Sequence, residues 1–224
     1  MNCYQLKTPL RVKLKKQIWK AKSQLFPTSK RACDITVSLI TLALLSPLLI
    51  ITAIAIKLES RGSALFKQQR IGLNGTPFTM LKFRSMSQDA DKNRAQLEAQ
   101  NEMSNGVLFK IKHDPRITRV GKIIRKTSID ELPQLINVLR GDMSLVGPRP
   151  PLPDEVAQYS QNDRARLGVL PGITCLWQVS GRSDIPFEQQ VKLDIQYIEK
   201  QSLSFDLLLL LKTIPAVIKG NGAY

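Results

Sequence analysis

The 224-residue sequence has few side chains that form disulfides or bind zinc: three cysteines and one histidine. Cys3, Cys33 and Cys175 are odd in number and far apart, unlike the paired cysteines of a small secreted protein. A structural zinc site needs about four clustered Cys or His ligands, and no cysteine lies near His113 in the sequence. The composition therefore argues against a disulfide scaffold and a zinc site, and it indicates reduced thiols in a protein that faces the cytosol.

The first 33 residues contain no acidic side chain, although the whole chain has 18. They carry nine basic residues, in a chain whose net charge is +15. Such a segment predicts an anionic partner, either nucleic acid or lipid headgroups, or else a solvated tail. We treat residues 1–33 as a basic leader.

Residues 35–56 contain no charged side chain and are apolar on every face. A helix of this length reaches about 33 Å, enough to cross the hydrocarbon layer of a bilayer. The alternatives are a buried core helix and a signal peptide, but the leader is too long for a signal peptide. The sequence therefore predicts a membrane helix, which we assign to residues 34–57.

Pro47 lies near the middle of this segment, where it frees the carbonyl of Ala43 and is expected to bend the helix. Ser46 can offer its hydroxyl to a freed carbonyl. Both flanks are basic, and basic flanks prefer the cytoplasm. We therefore predict a re-entrant, proline-kinked helix, with a kinked spanning helix as the alternative. Basic charge beside a membrane helix also favours anionic lipid over nucleic acid as partner.

The rest of the chain predicts short elements. Residues 64–70 and 76–83 flank Asn74-Gly75, a typical hairpin turn, and indicate a small β-hairpin. Residues 117–126 predict an amphipathic helix suited to a headgroup layer, and residues 205–218 predict a core or interfacial helix. The expected fold class is thus mainly α with a small β-hairpin (α+β), in a monotopic membrane protein with interfacial amphipathic helices.

Asp130 and Glu131 are adjacent carboxylates in this basic chain. Ser128 and Glu131 match a capping box, so the pair can simply begin a helix. Phosphoryl chemistry is the other interpretation, because a carboxylate can attack a phosphoryl group or hold Mg²⁺. Neighbouring helical residues point about 100° apart, so the two acids need not share one role.

Arginines on stiff segments favour phosphoryl chemistry over simple capping. Arg125 precedes the acids, and Arg149 lies between prolines in LVGPRPP (residues 145–151). Gln178 and Arg182 lie in the turn-rich stretch PGITCLWQVSGRS. A guanidinium on a rigid segment suits bidentate contacts with phosphate.

Three blocks follow each other in the chain: FKQQRIGLNGTPFTMLKFRSM, DPRITRVGKIIRKTSIDELPQLINVLRGDMSLVGPRP and PGITCLWQVSGRS. These blocks resemble the signature motifs of bacterial sugar transferases, the small monotopic phosphoglycosyl transferases that start glycan assembly on polyprenyl phosphate. The resemblance extends from about Lys30 to Tyr224, and Ser46-Pro47 matches the re-entrant helix of the family. It implies that residues 58–224 form a cytoplasmic, membrane-associated catalytic domain.

The resemblance implies a two-step transfer. Asp130 matches the family nucleophile, which would attack the β-phosphate of a UDP-sugar, release UMP and carry the sugar phosphate until undecaprenyl phosphate accepts it. Glu131 matches the acid associated with Mg²⁺. Basic family positions around the substrate match Lys82, Arg125 and Arg149. The full set of expected substrate or phosphate contacts is Lys82, Arg84, Arg125, Arg149, Gln178 and Arg182.

The closing blocks, LWQVSGRSD and the ending NGAY, look most like enzymes that begin exopolysaccharide or O-antigen chains with a hexose 1-phosphate. This resemblance favours UDP-glucose or UDP-galactose, at the inner membrane with the active site facing the cytoplasm. Cys175 stands where many relatives have glycine.

Two rival functions remain, a Mg²⁺-dependent nucleotide-diphosphate hydrolase and a non-catalytic membrane scaffold, and a homo-oligomer is left open.

Overall fold

The computed structural model describes residues 10–87, 90, 114–181 and 185–219, with side chains between residues 26 and 217 of those ranges. Helices predominate, as the expected class requires. The helices are α1 (Leu10–Glu59), α2 (Arg119–Lys126), α3 (Gln134–Arg140), α4 (Pro153–Ala157), α5 (Phe187–Lys200) and α6 (Leu203–Lys219). The strands are β1 (Leu65–Ile71), β2 (Pro77–Phe83), β3 (Ser144–Val146) and β4 (Gly172–Thr174).

Helix α1 is 50 residues long and runs through the predicted boundary between leader and membrane helix. It is the one helix in the described ranges that is long and apolar enough to cross a membrane. Ser46 Oγ donates to the carbonyl of Ala43 at 2.9 Å, which is the carbonyl that Pro47 cannot serve. This is the hydrogen bond expected of Ser46, while the role of Ser46 and Pro47 in a bend and the re-entrant path stay predictions.

One side of α1 is covered by protein and the other is not. Val37 and Leu42 pack against one buried cluster, and Leu49 and Ala53 pack against another. The opposite side exposes a row of large apolar side chains: Leu39, Ile40, Leu44, Ile50, Ile51, Ile54 and Leu58. An exposed apolar surface of this extent suits a hydrocarbon environment.

The predicted hairpin is confirmed. β1 and β2 pair antiparallel, from Leu65 opposite Phe83 to Ile71 opposite Pro77. Asn74 takes a left-handed conformation with φ 54°, which asparagine tolerates better than most residues. The register places Lys82 opposite Phe66, at the end of the hairpin away from its turn.

Helix α3 anchors the hairpin through one buried amide. The Asn137 side chain accepts a hydrogen bond from Leu81 N at 2.9 Å and donates to Thr79 O at 2.7 Å. These bonds satisfy backbone groups of β2 in the interior, where an unpaired group would be costly. Because β2 carries Lys82, this contact also fixes where that lysine stands.

The short parallel pair of β3 and β4 was not predicted from the sequence. Ser144 pairs with Gly172 and Val146 with Thr174. Immediately after β3, the backbone of Gly147 approaches Gly172 so closely that a Cβ on Gly172 would lie 2.1 Å from Gly147 N. This approach leaves no space for a side chain.

The two predicted helices near the surface are present and amphipathic. α2 buries Gly121 and Ile124 but leaves Ile123 64% exposed. α6 buries Leu209 completely in the cluster that also contains Val146 and Tyr197. Its other side exposes Leu207, Leu208, Leu211 and Ile214. Both patterns agree with helices that rest on an interface.

Candidate active site

The two carboxylates lie in a single 3-10 turn, Ile129–Glu131, between α2 and α3. Ser128, just before it, is left-handed with φ 56°, and its side chain makes no capping hydrogen bond. The capping-box interpretation is therefore wrong. A capping serine needs an extended backbone to aim its oxygen at the first amides, and the left-handed Ser128 turns the chain before α3 begins at Gln134.

Asp130 is buried, with 8% of its surface exposed. Loss of solvation raises its pKa to about 6; Lys82 opposes this rise, Glu131 adds to it and Arg125 opposes it. At neutral pH the carboxylate is thus mostly ionised but poorly hydrated. An ionised, poorly hydrated carboxylate next to cationic groups is suited to attack an anionic phosphoryl centre.

Glu131 occupies a different environment from its neighbour. Its Oε1 accepts a hydrogen bond from Lys82 Nζ at 2.7 Å, and the side chains of both residues are half-buried. The structure therefore brings Lys82, Asp130, Glu131 and, through its charge, Arg125 to one place. The difference in burial between the two acids fits the expectation that they have different roles.

These donors fit Mg²⁺ only in part. Mg²⁺ takes oxygen ligands and is usually held by one or two carboxylates together with substrate phosphates. Over the part of the chain that the structure describes, no group of three or more His, Cys, Asp or Glu residues can hold a metal ion. Asp130 and Glu131 supply the oxygens that such an ion prefers, and a diphosphate substrate would have to complete its shell.

The loop that carries Arg149 is tied to other segments by hydrogen bonds, in addition to the stiffness that its prolines predict. Three of its prolyl carbonyls accept hydrogen bonds from other segments. The donors are Gly172 N to Pro148 at 2.9 Å, Arg70 Nη1 to Pro150 at 3.0 Å and Ile71 N to Pro151 at 3.0 Å. The hairpin and β4 thus hold the loop on both sides and define the position from which Arg149 extends.

Two charged residues of this region were missed by the sequence analysis. Glu155 is buried and pairs with Arg149 at 3.2 Å, while it also accepts from Leu152 N. Arg70 is buried at the end of β1; burial and the nearby Arg149 lower its pKa to about 9, against the opposing charges of Glu155 and Glu131. The sequence feature that could have pointed to Arg70 is its position as a charged residue within a short predicted strand.

A small, partly open pocket lies between the turn of the hairpin and the Arg149 loop. Arg149 and Arg166 both form part of its wall. Arg166 is buried in an ion pair with Asp194 and donates to the Tyr159 hydroxyl at 3.1 Å. Each arginine on the wall therefore has an acidic partner, so the four charges cancel.

The remaining predicted contacts lie elsewhere. Arg84 donates to Ser60 O at 2.8 Å and Arg61 O at 2.7 Å, at the end of α1. Gln178 lies in a 3-10 turn after β4, and its buried Oε1 accepts no hydrogen bond from the described residues. Arg182 lies outside the described residues. Substrate roles for these three stay predictions.

The comparisons with known proteins agree with the motifs. A family model described as bacterial sugar transferase matches residues 25–220. The chain is 48% identical over 196 residues to galactosyl transferase CpsE of Streptococcus agalactiae, covering 87% of this chain and 43% of that protein. It is 40% identical over 199 residues to the exopolysaccharide production protein ExoY of Sinorhizobium fredii, covering 88% of each.

A third relative is the undecaprenyl-phosphate galactose phosphotransferase of Salmonella typhimurium, 43% identical over 198 residues, which are 87% of this chain and 41% of that protein. The chain therefore spans less than half the length of two of these relatives and most of the third. The family match covers most of the chain, including both carboxylates and the Arg149 loop. By this match the chain belongs to the bacterial sugar transferase family.

Proposed function

We propose that this protein transfers a hexose 1-phosphate from a UDP-sugar to undecaprenyl phosphate, releases UMP and so starts the assembly of a polysaccharide. The observation that carries the proposal is Asp130, a buried carboxylate with a raised pKa beside Lys82 and Arg125. The names of two relatives support the substrates, since one is a galactosyl transferase and another an undecaprenyl-phosphate galactose phosphotransferase.

In the first step, a carboxylate oxygen of Asp130 forms a bond to the β-phosphorus of the UDP-sugar. The bond between that phosphorus and the oxygen bridging to the α-phosphate breaks, and UMP leaves with the electron pair. We expect Lys82 and Arg125 to offset the negative charge that gathers around the phosphorus. Asp130 then carries the sugar phosphate as an acyl phosphate.

In the second step, a phosphate oxygen of the lipid attacks the same phosphorus, and the Asp130 carboxylate leaves. The product is a polyprenyl diphosphate sugar, and the enzyme returns to its starting state. Because Asp130 is buried, water has little access to the intermediate. Limited water access favours transfer to the lipid over hydrolysis.

Glu131 is the residue that we expect to hold Mg²⁺ together with the substrate phosphates. When bound, the ion would supply positive charge that reduces repulsion between the carboxylates and the diphosphate. Lys82 pairs with Glu131 and would keep that side chain oriented. For Arg149, on its proline-rich loop, we expect contact with a phosphate or the sugar phosphate.

We further propose that α1 is re-entrant, with both ends at the cytoplasmic face. Just before its apolar segment, Arg31 donates to the carbonyls of Val138 and Leu139 at 2.5 and 2.9 Å. At its end, the Glu59 carboxylate accepts from the backbone amides of Arg119 and Val120. Both contacts are to the same folded domain, which supports placing both ends on one side of the bilayer.

The decisive experiment omits the lipid. Purified protein is mixed with UDP-galactose or UDP-glucose and Mg²⁺, and both UMP and the intact mass of the protein are measured. We expect at most about one UMP per enzyme and a mass increase of one hexose phosphate. Asp130→Asn should abolish both, because an amide is a poor nucleophile, whereas Asp154→Asn, an exposed acid on α4, should abolish neither.

Other outcomes separate the alternatives. Continuous UMP release over many turnovers without lipid would identify a hydrolase. UMP formation only when both substrates are present, with no adduct, would indicate direct displacement. An Asp130→Asn protein with undiminished UMP release would refute the assignment of the nucleophile.

A further inference from the structure

Strand β3 is held by polar side chains from two distant helices. The carbonyl of Val146 accepts a hydrogen bond from Lys30 Nζ at 3.1 Å, and the Tyr197 hydroxyl lies 3.0 Å from the same oxygen. Asp34 Oδ1 accepts from Leu145 N at 3.1 Å. Lys30 and Asp34 belong to α1 and Tyr197 to α5, and all three are buried.

Asp206 on α6 joins these groups into one network. Its Oδ2 lies 2.5 Å from Lys30 Nζ, and its Oδ1 lies 2.7 Å from the Tyr197 hydroxyl. Removing both charges from water is costly, so a buried pair is a weak source of net stability. The presence of such a pair is better explained by the structure that it holds in place, which here is the backbone of Val146.

Only Gly147 and Pro148 separate Val146 from Arg149 in the chain. Gly147 N donates to Thr174 O at 3.0 Å, and Gly172 N donates to Pro148 O at 2.9 Å. Because Gly147 and Gly172 approach each other closely, the backbone of Gly147 cannot shift toward β4. With a stiff prolyl segment following, a displaced Val146 carbonyl would displace the arginine three residues later.

We infer that Lys30, paired with Asp206, is a positioning residue that sets the place of Arg149 in the active site. Lys30 lies just before the uncharged stretch 35–56 of α1. The way in which α1 packs against the rest of the domain therefore determines the geometry of the Arg149 loop. This inference rests on the proposed function for the role of Arg149.

The test removes both charges at once. Lys30→Met combined with Asp206→Leu removes both partners of the ion pair, so neither is left buried and unpaired, and the buried Asp34 keeps its hydrogen bond from Leu145 N. The double variant is therefore expected to fold, and its thermal unfolding is measured beside that of the wild type. UDP is the probe, and its affinity is measured by calorimetry with the full-length protein. We expect the affinity to fall about tenfold, because a small displacement of a binding group has effects of this size.

The same double exchange in an Arg149→Ala background should change UDP affinity less than about twofold, since no guanidinium remains to be misplaced. Arg31→Met is the matched control. Arg31 is the adjacent cation of α1, but it binds carbonyls of α3, so its effect on UDP affinity should be the same with or without Arg149. Tyr197→Phe, which loses one hydroxyl, should give a smaller loss that also requires Arg149.

Wild-type affinity in the folded double variant, or equal weakening with and without Arg149, would overturn the inference. It would also fall if Arg149→Ala left UDP affinity unchanged. Tyr197→Phe decides the question if the double variant does not fold. None of these results depends on the covalent adduct, so a failure of the inference is distinguishable from a failure of the proposed function.

Discussion

The ammonium group of Lys82 lies 2.7 Å from Glu131 Oε1, and its positive charge also lowers the pKa of Asp130 against the effect of burial. One lysine on the hairpin therefore acts on both carboxylates, since it pairs with the half-buried Glu131 and favours ionisation of the buried Asp130. Both effects depend on tertiary structure. Asn137 fixes the strand that carries Lys82, and the 3-10 turn after Ser128 presents the two acids.

Replacement of Lys82 by methionine should raise the pKa of Asp130, because a nearby positive charge favours the carboxylate and its removal disfavours it. If Asp130 is the nucleophile, the acidic limb of UMP release should move to higher pH by about one pH unit. The rate of single-turnover UMP release, followed from about pH 5 to about pH 8, gives the pH at which activity is lost on the acidic side. Lys67→Met, an exposed lysine of β1, is the control and should leave the limb in place.

Asp130→Asn should stabilise the protein at neutral pH. Burial raises the folded-state pKa of Asp130 to about 6, whereas an unfolded aspartate has a pKa of about 3.9. The folded protein therefore binds this proton more tightly, and the associated stability, complete below about pH 4, is lost as pH rises through the folded pKa. Above that pH the wild type carries a buried carboxylate, so the asparagine variant should be more stable by about 2 kcal/mol.

Thermal unfolding at about pH 4, close to the unfolded pKa, and at about pH 7.5, above the folded pKa, measures this difference, which should be much smaller at the lower pH. Glu131→Gln is the matched control, because Glu131 is half-buried and paired with Lys82 and should show no such gain. Equal stability of Asp130→Asn and wild type at both pH values would mean that burial does not destabilise the ionised form.

Local sequence patterns predicted the elements that depend on local physics. Asn74-Gly75 gave the hairpin, since few other residue pairs accept its turn conformation. The alternation of apolar and basic residues predicted α2, and the apolar run Leu207–Leu211 predicted α6. The prolines around Arg149 gave a stiff loop, although the sequence did not show which groups bind its carbonyls.

The rest depends on contacts between distant segments. Strands β3 and β4 have three residues each, too few for a period to be recognised. Lys30 and Asp206 are separated by 176 positions, so no local pattern links them. Ser128 is instructive, because its sequence context matches a capping box while the tertiary structure imposes a left-handed backbone and removes the cap.

Arg84→Met should lower stability rather than substrate affinity. Its guanidinium donates to carbonyls of Ser60 and Arg61 at the end of α1, where a cation satisfies groups that the helix leaves unpaired. Loss of these charged hydrogen bonds should cost about 1–3 kcal/mol of unfolding free energy. Chemical unfolding and UDP calorimetry together decide the role. Weaker UDP binding at unchanged stability would instead confirm the substrate contact that the sequence predicted.

The topology of α1 gives the last prediction. The contacts of Arg31 with α3 and of Glu59 with the start of α2 hold both ends of the apolar segment on one domain. A straight spanning helix would have to break one of these sets and move the basic leader across the membrane, which basic residues resist. We therefore expect both ends to be inaccessible from outside an intact cell.

Single cysteines at Ser23 and at Ser63, in a chain whose native cysteines are replaced by serine, test this expectation with a membrane-impermeant maleimide. Neither position should react in intact cells, and both should react once the cells are permeabilised. Pro47→Ala should not change the result, because the contacts at both ends and the charge of the leader remain even if the helix straightens. Reaction at Ser23→Cys from outside, with Ser63→Cys protected, would establish a spanning helix and refute the re-entrant path.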